Sequence, residues 1–355
     1  MRIALVGLPG SGKTTLYNAL VQKPADVLPG VPGSAPHVSM LTVRDPRLEW
    51  LRDLYSPKKY TPATLQLEDH PGIPPGLAKS DRRGELFGRM RDADGLVITL
   101  RSYATDAYAY DDPDVDPGRD LELVALEFLN ADLDICERRL RKLDEEWKRP
   151  KERDRVERER SVVRRLRDTL LGDKGAHAAG LSPEEEQIVR GFQLLTAKPV
   201  VLLANLAEDG TPPELPEVAF NVLSRFDACA ALEVELAQLE GNDRAAFAEE
   251  LGLSEPLVDR FPGACYRGLG LRSFFTVGED EVRAWTITGG SNAVQSAAKV
   301  HSDLARGFIR AEVTPYEDLR SLGGMKEVKA KGKQRLEGKG YVVADGDILN
   351  IRFSV

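Results

Sequence analysis

The sequence predicts an α/β fold in three parts: a sheet domain organised around an early strand–loop–helix turn, an antiparallel helical hairpin inserted into it, and a small mixed sheet at the C-terminus. Three observations carry this. The apolar run RIALV passes straight into GLPGSGKTTLYNAL (7–20), where Leu16, Ala19 and Leu20 take helical spacing. Leu126, Leu129, Leu133, Cys136, Leu140, Leu143 and Trp147 alternate intervals of three and four, an unbroken a/d seam. Near the end, VRAWTI, FIRAEV, YVVAD and ILNIRFSV read as strands, with SNAVQSAAKVHSDLA as the one helix between them.

A chain of 355 residues is long enough for two or three domains. Cys136, Cys229 and Cys265 lie far apart with no CxxC pair. That argues against a disulfide framework or a zinc site and for a reducing, cytoplasmic compartment. The N-terminal apolar run is too short for a signal peptide or a membrane span and reads as a buried strand. Net charge is −8, but residues 137–167 hold fourteen Lys or Arg against eight Asp or Glu, a net of +6 that leaves −14 on the rest. A basic rod on an acidic body can find phosphate-rich partners by long-range steering.

Gly7, Gly12, Lys13 and Thr14 satisfy G-x-x-x-x-G-K-[ST] between a strand and a helix, the context that motif requires. Glycines let the backbone curl so that N–H groups of the stretch Pro9, Gly10, Ser11, Gly12, Lys13, Thr14 and Thr15 point at phosphate oxygens. Lys13 neutralises the outer phosphates, and Thr14 offers its hydroxyl to Mg²⁺. The bland reading is a glycine-rich turn with an accidental lysine. A chance match is on the order of one per cent at average glycine usage, so the first part is read as a P-loop NTPase sheet.

The strand ATLQLED ends in Asp69-His70-Pro71-Gly72-Ile73. This resembles the D-x-x-G segment of nucleotide switches, in which Asp69 holds Mg²⁺ through a water and the Gly72 N–H senses the γ-phosphate. Alternatively it is only a strand-ending turn. Ile73 stands where Ras-like enzymes place a water-orienting Gln, and an aliphatic side chain cannot orient water. His70 is either the substitute or a polar surface residue.

KPVVLLANLAEDG reads as a buried parallel strand that delivers Asn205 and Glu208 to its C-terminal edge. GTPases read N-K-x-D here, and that Asp accepts from guanine N1–H and the N2 amine. This chain reads Asn205-Leu206-Ala207-Glu208. Adenine has an acceptor at N1 and no amine at C2, so relaxing the aspartate geometry and losing the lysine favours ATP over GTP. The alternative is that NLAE only begins a loop.

Beyond the seam, Pro150 interrupts the helix, and Val156, Val163, Leu166 and Leu170 suggest a second helix folding back. Ser182-Pro183-Glu184-Glu185 supplies a capping box for a return helix. The Arg-rich faces bind RNA or form a solvated surface laced with i,i+4 pairs. Residues 325–340 carry six positive and two negative side chains, a phosphate contact or a soluble loop. His301 reads as a polar helix-edge residue, and His37 and His177 lie in loop-like stretches without partners.

On GLPGSGKTTLYNAL, DPRLEWLRDLYSPKK, DPGRDLELVALEFLNADL, LLTAKPVVLLANLAE, LEVELAQL and the tail from FFTVGEDEVRAWTI onward, the chain resembles the YchF or Obg-like ATPases nearly end to end. The resemblance implies a TGS-type β-grasp tail, ATP preference from NxxE, Ile73 as the family's hydrophobic residue after the switch glycine, and Cys229-Ala230-Ala231 as the base-side loop. It divides the chain into a P-loop domain of residues 1–120 and 193–271, a helical insertion of 121–192 and the tail of 272–355. The implied partners are ATP or GTP and the ribosome or its RNA, with neither membrane nor DNA among them.

There are departures. GSAPH stands where the family has a switch threonine, leaving Ser34 as the nearest hydroxyl for Mg²⁺. Gly10-Ser11 replaces a frequent Asn-Val, and Tyr110 replaces a histidine the resemblance nominates for catalysis. These bear on hydrolysis and switching more than on nucleotide binding. Two functions from different classes follow: a cytosolic, ribosome-associated switch ATPase, and a nucleotide-responsive scaffold with little or no turnover. A small-metabolite kinase would share only the phosphate loop.

Overall fold

The near-continuous apolar runs LVITL and PVVLLAN become central parallel strands, since side chains on both faces of such strands are buried. The computed structural model describes residues 1–21, 35–74, 76–77, 83–104, 114–148, 153–239, 246–248 and 255–354. Within them the chain divides into two units, Met1–Met40 with Gln66–Val258, and Leu41–Leu65 with Asp259–Val355.

The strands of the first part are β1 (Arg2–Val6), β2 (His37–Val43), β3 (Lys59–Thr61), β4 (Ala63–Asp69), β5 (Gly95–Ser102), β6 (Pro199–Leu206) and β7 (Asn221–Ala228). All but β3 form one sheet in the order β2-β4-β1-β5-β6-β7. Pairing from β4 through to β7 is parallel. The register sets Leu5 beside Asp69, Arg101 beside Asn205, and Asn205 beside Ala228. The C-terminal ends of these strands therefore line one edge, where ligands bind in open α/β sheets.

The accompanying helices are α1 (Lys13–Val21), α2 (Pro46–Tyr55), α3 (Arg83–Arg91), α4 (Pro117–Glu146), α5 (Arg153–Leu171), α6 (Pro183–Val189) and α7 (Ala230–Gln238). Asp116 caps α4 by accepting from the Arg119 N–H, with Pro117 at the first position. The helix then does two jobs. Leu121, Val124, Ala125 and Phe128 join the core of the sheet. From Leu129 onward, Cys136, Leu140 and Leu143 pack with Val156, Val162, Val163, Leu166 and Leu170 of α5.

The heptad seam accordingly begins at Leu129. Leu126, placed in it by spacing alone, is 51 % exposed, because the first turns of α4 face the sheet and not α5. Pro150 lies outside the described residues. Ser182 and Glu185 form the capping box of α6. Asp132, wholly buried on α4, accepts from the Leu195 and Thr196 N–H groups, the Thr196 hydroxyl and Arg91, which ties the hairpin to the segment leading into β6.

Many of the hairpin's arginines are engaged internally. Arg139 pairs with Glu146 and Glu159, Arg160 with Asp144, Arg165 with Glu185, and Arg167 with Asp168. His177 Nδ1 lies 3.0 Å from the Thr196 carbonyl, so the expectation that it lacks a partner does not hold.

In the second unit Asp45 caps α2, and β3 runs parallel to the strand Glu281–Thr288. The further strands are β8 (Leu271–Thr276), β9 (Glu281–Thr288), β10 (Phe308–Pro315), β11 (Arg335–Glu337) and β12 (Asp347–Phe353). The sheet order is β11-β10-β12-β8-β9-β3. Phe274, Ile287, Ala311, Val313 and Leu349 meet Ala293 and Ala297 of the helix Ala293–Val300.

Three details differ from the pattern reading. The predicted single helix breaks at His301, whose extended backbone ends one helix and whose ring accepts from Asp303 N–H to start another, Ser302–Arg306. YVVAD is a loop with one bridge, Asn292 to Val342, because Asp345 and Asp347 turn back to accept from the Ser273 and Ala344 N–H groups. The helices Tyr316–Leu322 and Met325–Ala330 are too short to show a period.

Candidate functional site

The turn after β1 depends on three glycines in the left-handed region: Gly7, Gly10 and Gly12 have φ of +153°, +74° and +83°. A Cβ on Gly7 would lie 2.4 Å from the Thr99 carbonyl, and one on Gly12 only 2.0 Å from Asn205 Nδ2. Lys13 opens α1, and its ammonium donates to the Leu8 carbonyl at 2.9 Å and lies 3.5 Å from Ser11 Oγ. Burial pushes its pKa down to about 8, partly offset by the Asp69 carboxylate. A buried cation thus sits inside a curl of main chain.

β4 brings Asp69 to the same place. The Thr14 hydroxyl donates to Asp69 Oδ2 at 2.8 Å, so two expected metal-site residues, 55 positions apart, touch. Asp69 Oδ1 is buried and has no hydrogen-bond partner among the described residues. Burial raises this carboxyl's pKa, opposed by the Thr14 hydroxyl and Lys13. An orphaned hard oxygen beside a hydroxyl is a donor set that fits Mg²⁺ or its water.

Gly72 lies against the phosphate loop, where an added Cβ would come within 2.7 Å of Pro9 Cα. The Ile73 N–H donates to the Gly7 carbonyl at 3.0 Å. Its side chain is fully buried among Leu8, Leu77, Leu86 and Phe87. His70 is not at the surface: it is buried, with Nε2 3.3 Å from Glu68 Oε2 and Nδ1 without a hydrogen-bond partner among the described residues. Glu68's pKa is lowered by that contact.

On the other side of the loop, a cavity of about 630 Å³ is lined by Thr15, Asn205, Leu206, Glu208, Cys229 and Ala230, and also by Tyr103. Asn205 spans two loops. Its Nδ2 donates to the Ser11 carbonyl at 3.2 Å, and its Oδ1 accepts from the Ala230 N–H at 3.0 Å. Replacing it with alanine leaves both backbone groups unpaired, a loss of roughly 2–4 kcal/mol for two buried groups. The expected result is a lower melting temperature together with weaker nucleotide binding. Unchanged values for both would show that Asn205 does not hold the loops together.

Tyr103 is the residue that pattern reading misses. It follows β5 and donates its hydroxyl to the Gly10 carbonyl at 2.9 Å. The available signal is its position just past the C-terminal end of a parallel strand. Ser34 and Tyr110 lie outside the described residues.

Two family models match the chain. Residues 2–123 match MMR_HSR1, a 50S ribosome-binding GTPase, and residues 271–354 match YchF-GTPase_C, a protein of unknown function (DUF933). The chain is 37 % identical over 363 residues to the ribosome-binding ATPase YchF of Bacillus subtilis, covering 99 % of this chain and 98 % of that protein. It is 32 % identical over 367 residues to Obg-like ATPase 1 of Oryza sativa, covering 100 % and 92 %. The solved structure of the Schizosaccharomyces pombe YchF GTPase superposes with a TM-score of 0.77 at 25 % identity, covering 99 % of this chain and 97 % of that one.

Proposed function

This chain belongs to the family of YchF and Obg-like ATPases, and from that premise we propose that it is a switch-type P-loop triphosphatase that binds and hydrolyses ATP in preference to GTP and associates with the ribosome. The observation that carries the reading is the single sheet edge on which Lys13, Thr14, Asp69 and the Asn205–Ala230 link come together. Backbone N–H groups of residues 9–15 and the Lys13 ammonium hold the phosphates. Thr14 and Asp69, the latter through a water, would hold Mg²⁺, which would supply charge neutralisation at the outer phosphate oxygens. Ser34 is the proposed further metal ligand.

The base enters the cavity at Leu206, Glu208 and Cys229. Glu208 is exposed at its rim, without the lysine that accompanies the guanine-reading aspartate. Calorimetry is expected to give ATP at least about tenfold tighter binding than GTP, the scale on which a lost hydrogen-bonding demand acts. GTP tighter by tenfold would overturn the base assignment.

Turnover is slow in isolation. Ile73 is committed to the apolar core and does not orient the attacking water; His70 turns Nε2 to Glu68, which leaves its buried Nδ1, without a hydrogen-bond partner among the described residues, as the one ring atom free to do so. The burial of Ile73 favours the second reading, a nucleotide-responsive scaffold. Single-turnover hydrolysis with and without ribosomes separates them: acceleration by ribosomes supports the ATPase, whereas no turnover in either supports the scaffold.

Relatives named for ribosome binding support a cytoplasmic place for this protein. Among the described residues no helix is long and apolar enough to cross a membrane. The hairpin cations left for RNA phosphates are Arg141, Lys142, Lys148, Arg158, Arg164 and Lys174, which make no ion pair among the described residues.

A further inference from the structure

The long helix α4 meets the switch segment through apolar side chains and through the carboxylate of Glu127. Glu127 is 6 % exposed, and its Oε1 accepts from the Gly76 N–H at 2.5 Å. Gly76 stands four residues after Gly72, which packs against Pro9, and three after Ile73, whose N–H is held by the Gly7 carbonyl. The stretch is therefore pinned at one end to the phosphate loop and at the other to α4. Leu77 and Ile73 add apolar contact, in one core cluster with Leu121, Val124 and Phe128 of the same helix.

The hydrogen-bonding capacity of Glu127 is unusual for its position. A buried carboxylate is retained on a helix only where its partners compensate the lost hydration, and an apolar residue would otherwise suit a site between Leu121, Val124 and Phe128. Beyond Glu127 the same rigid helix continues for 19 residues to Glu146, about 28 Å at 1.5 Å per residue, and that distal part packs with α5. A small tilt at Glu127 is thereby enlarged at the hairpin tip.

We propose that Glu127 is the positioning residue that couples the switch segment to the helical hairpin, its carboxylate gripping the Gly76 N–H so that movement at Gly72 is passed to α4. This rests on the reading of Gly72 as the γ-phosphate sensor. Gly72 and Ile73 are held against the phosphate loop and Gly76 against Glu127, so when Gly72 is drawn toward a terminal phosphate, α4 follows or the Glu127 bond breaks. The hairpin, with its unpaired cations, then presents a different surface in the two nucleotide states.

Hydrogen exchange on the full-length protein tests this, with and without Mg²⁺ and a nonhydrolysable ATP analogue, alongside fluorescent-nucleotide titration. In the unaltered protein the analogue is expected to change exchange in residues 129–146 by at least about fivefold, within the range of a charge-assisted hydrogen bond. Glu127→Ala abolishes that change while analogue affinity stays within about threefold, since the bond removed is to Gly76, outside the phosphate loop. Glu127→Gln keeps an acceptor without the charge and gives an intermediate response; it decides the matter should the alanine variant fold poorly. A hairpin response in either variant equal to that of the unaltered protein overturns the proposal, as does a hairpin that ignores bound analogue in the unaltered protein. Absence of saturable analogue binding would sink the nucleotide-site reading itself, and is visible in the titration before any exchange is measured.

Discussion

Replacing Lys13 with alanine lowers ATP affinity by at least about a hundredfold, the equivalent of one or two charge-assisted hydrogen bonds to phosphate made in a buried site. Lys13 is only 6 % exposed and its ammonium is held by the Leu8 carbonyl, so water does not replace it. Its pKa of about 8 gives the affinity a pH signature. Below about pH 8 the cation is present and affinity is level. Above it, affinity falls about tenfold per unit, as one proton must be taken up on binding.

The same shift has a sign for stability. The folded pKa lies below the unfolded value of 10.5, so between the two the unfolded chain holds more protons and stability rises with pH. Below about pH 8 the whole cost of burying the cation is present, roughly 3 kcal/mol at 1.4 kcal/mol per unit. Lys13→Met removes that cost, and the empty protein is expected to melt at a higher temperature while no longer binding ATP. Binding of ATP by Lys13→Ala with unaltered affinity would remove the basis of the nucleotide-site reading.

Asp69→Asn has the second large effect: loss of Mg²⁺-dependent nucleotide binding and a single-turnover rate lower by at least about a hundredfold, the scale of removing one preorganised electrostatic group. The substitution keeps the shape and an acceptor for the Thr14 hydroxyl, so the fold is preserved. What disappears is the negative charge behind the orphaned Oδ1. A titration of nucleotide affinity against Mg²⁺ reads this directly, and an Asn variant with the same Mg²⁺ dependence would exclude Asp69 from the metal site.

Much of the site was legible because its chemistry is local. Gly7, Gly10 and Gly12 announce a backbone that needs positive φ, and a lysine and threonine immediately after them start a helix. The base-side residues were legible for a related reason: the run ending in Asn205 is too apolar for anything but a buried strand, so its end must lie on the ligand edge of the sheet. The contacts of Tyr103 and Glu127 were not legible, although the place of Tyr103 just past a strand end was. Their partners, the Gly10 carbonyl and the Gly76 N–H, are backbone groups 93 and 51 positions away, and backbone groups leave no mark in a sequence.

Short-range structure could be read from residue types alone: the phosphate loop, the buried strands, the hairpin seam and the capped helix starts are each written in a few consecutive turns. Which way shared surfaces divide was settled by long-range packing. That packing turned the early turns of α4 toward the sheet and left Leu126 exposed, bent the predicted tail helix at His301, gave β3 to the second sheet, and buried His70 with Nε2 against Glu68. Periodicity states that a face is apolar or that a group is polar. The choice of what meets it is made by long-range packing, where burial of one partner depends on all the others.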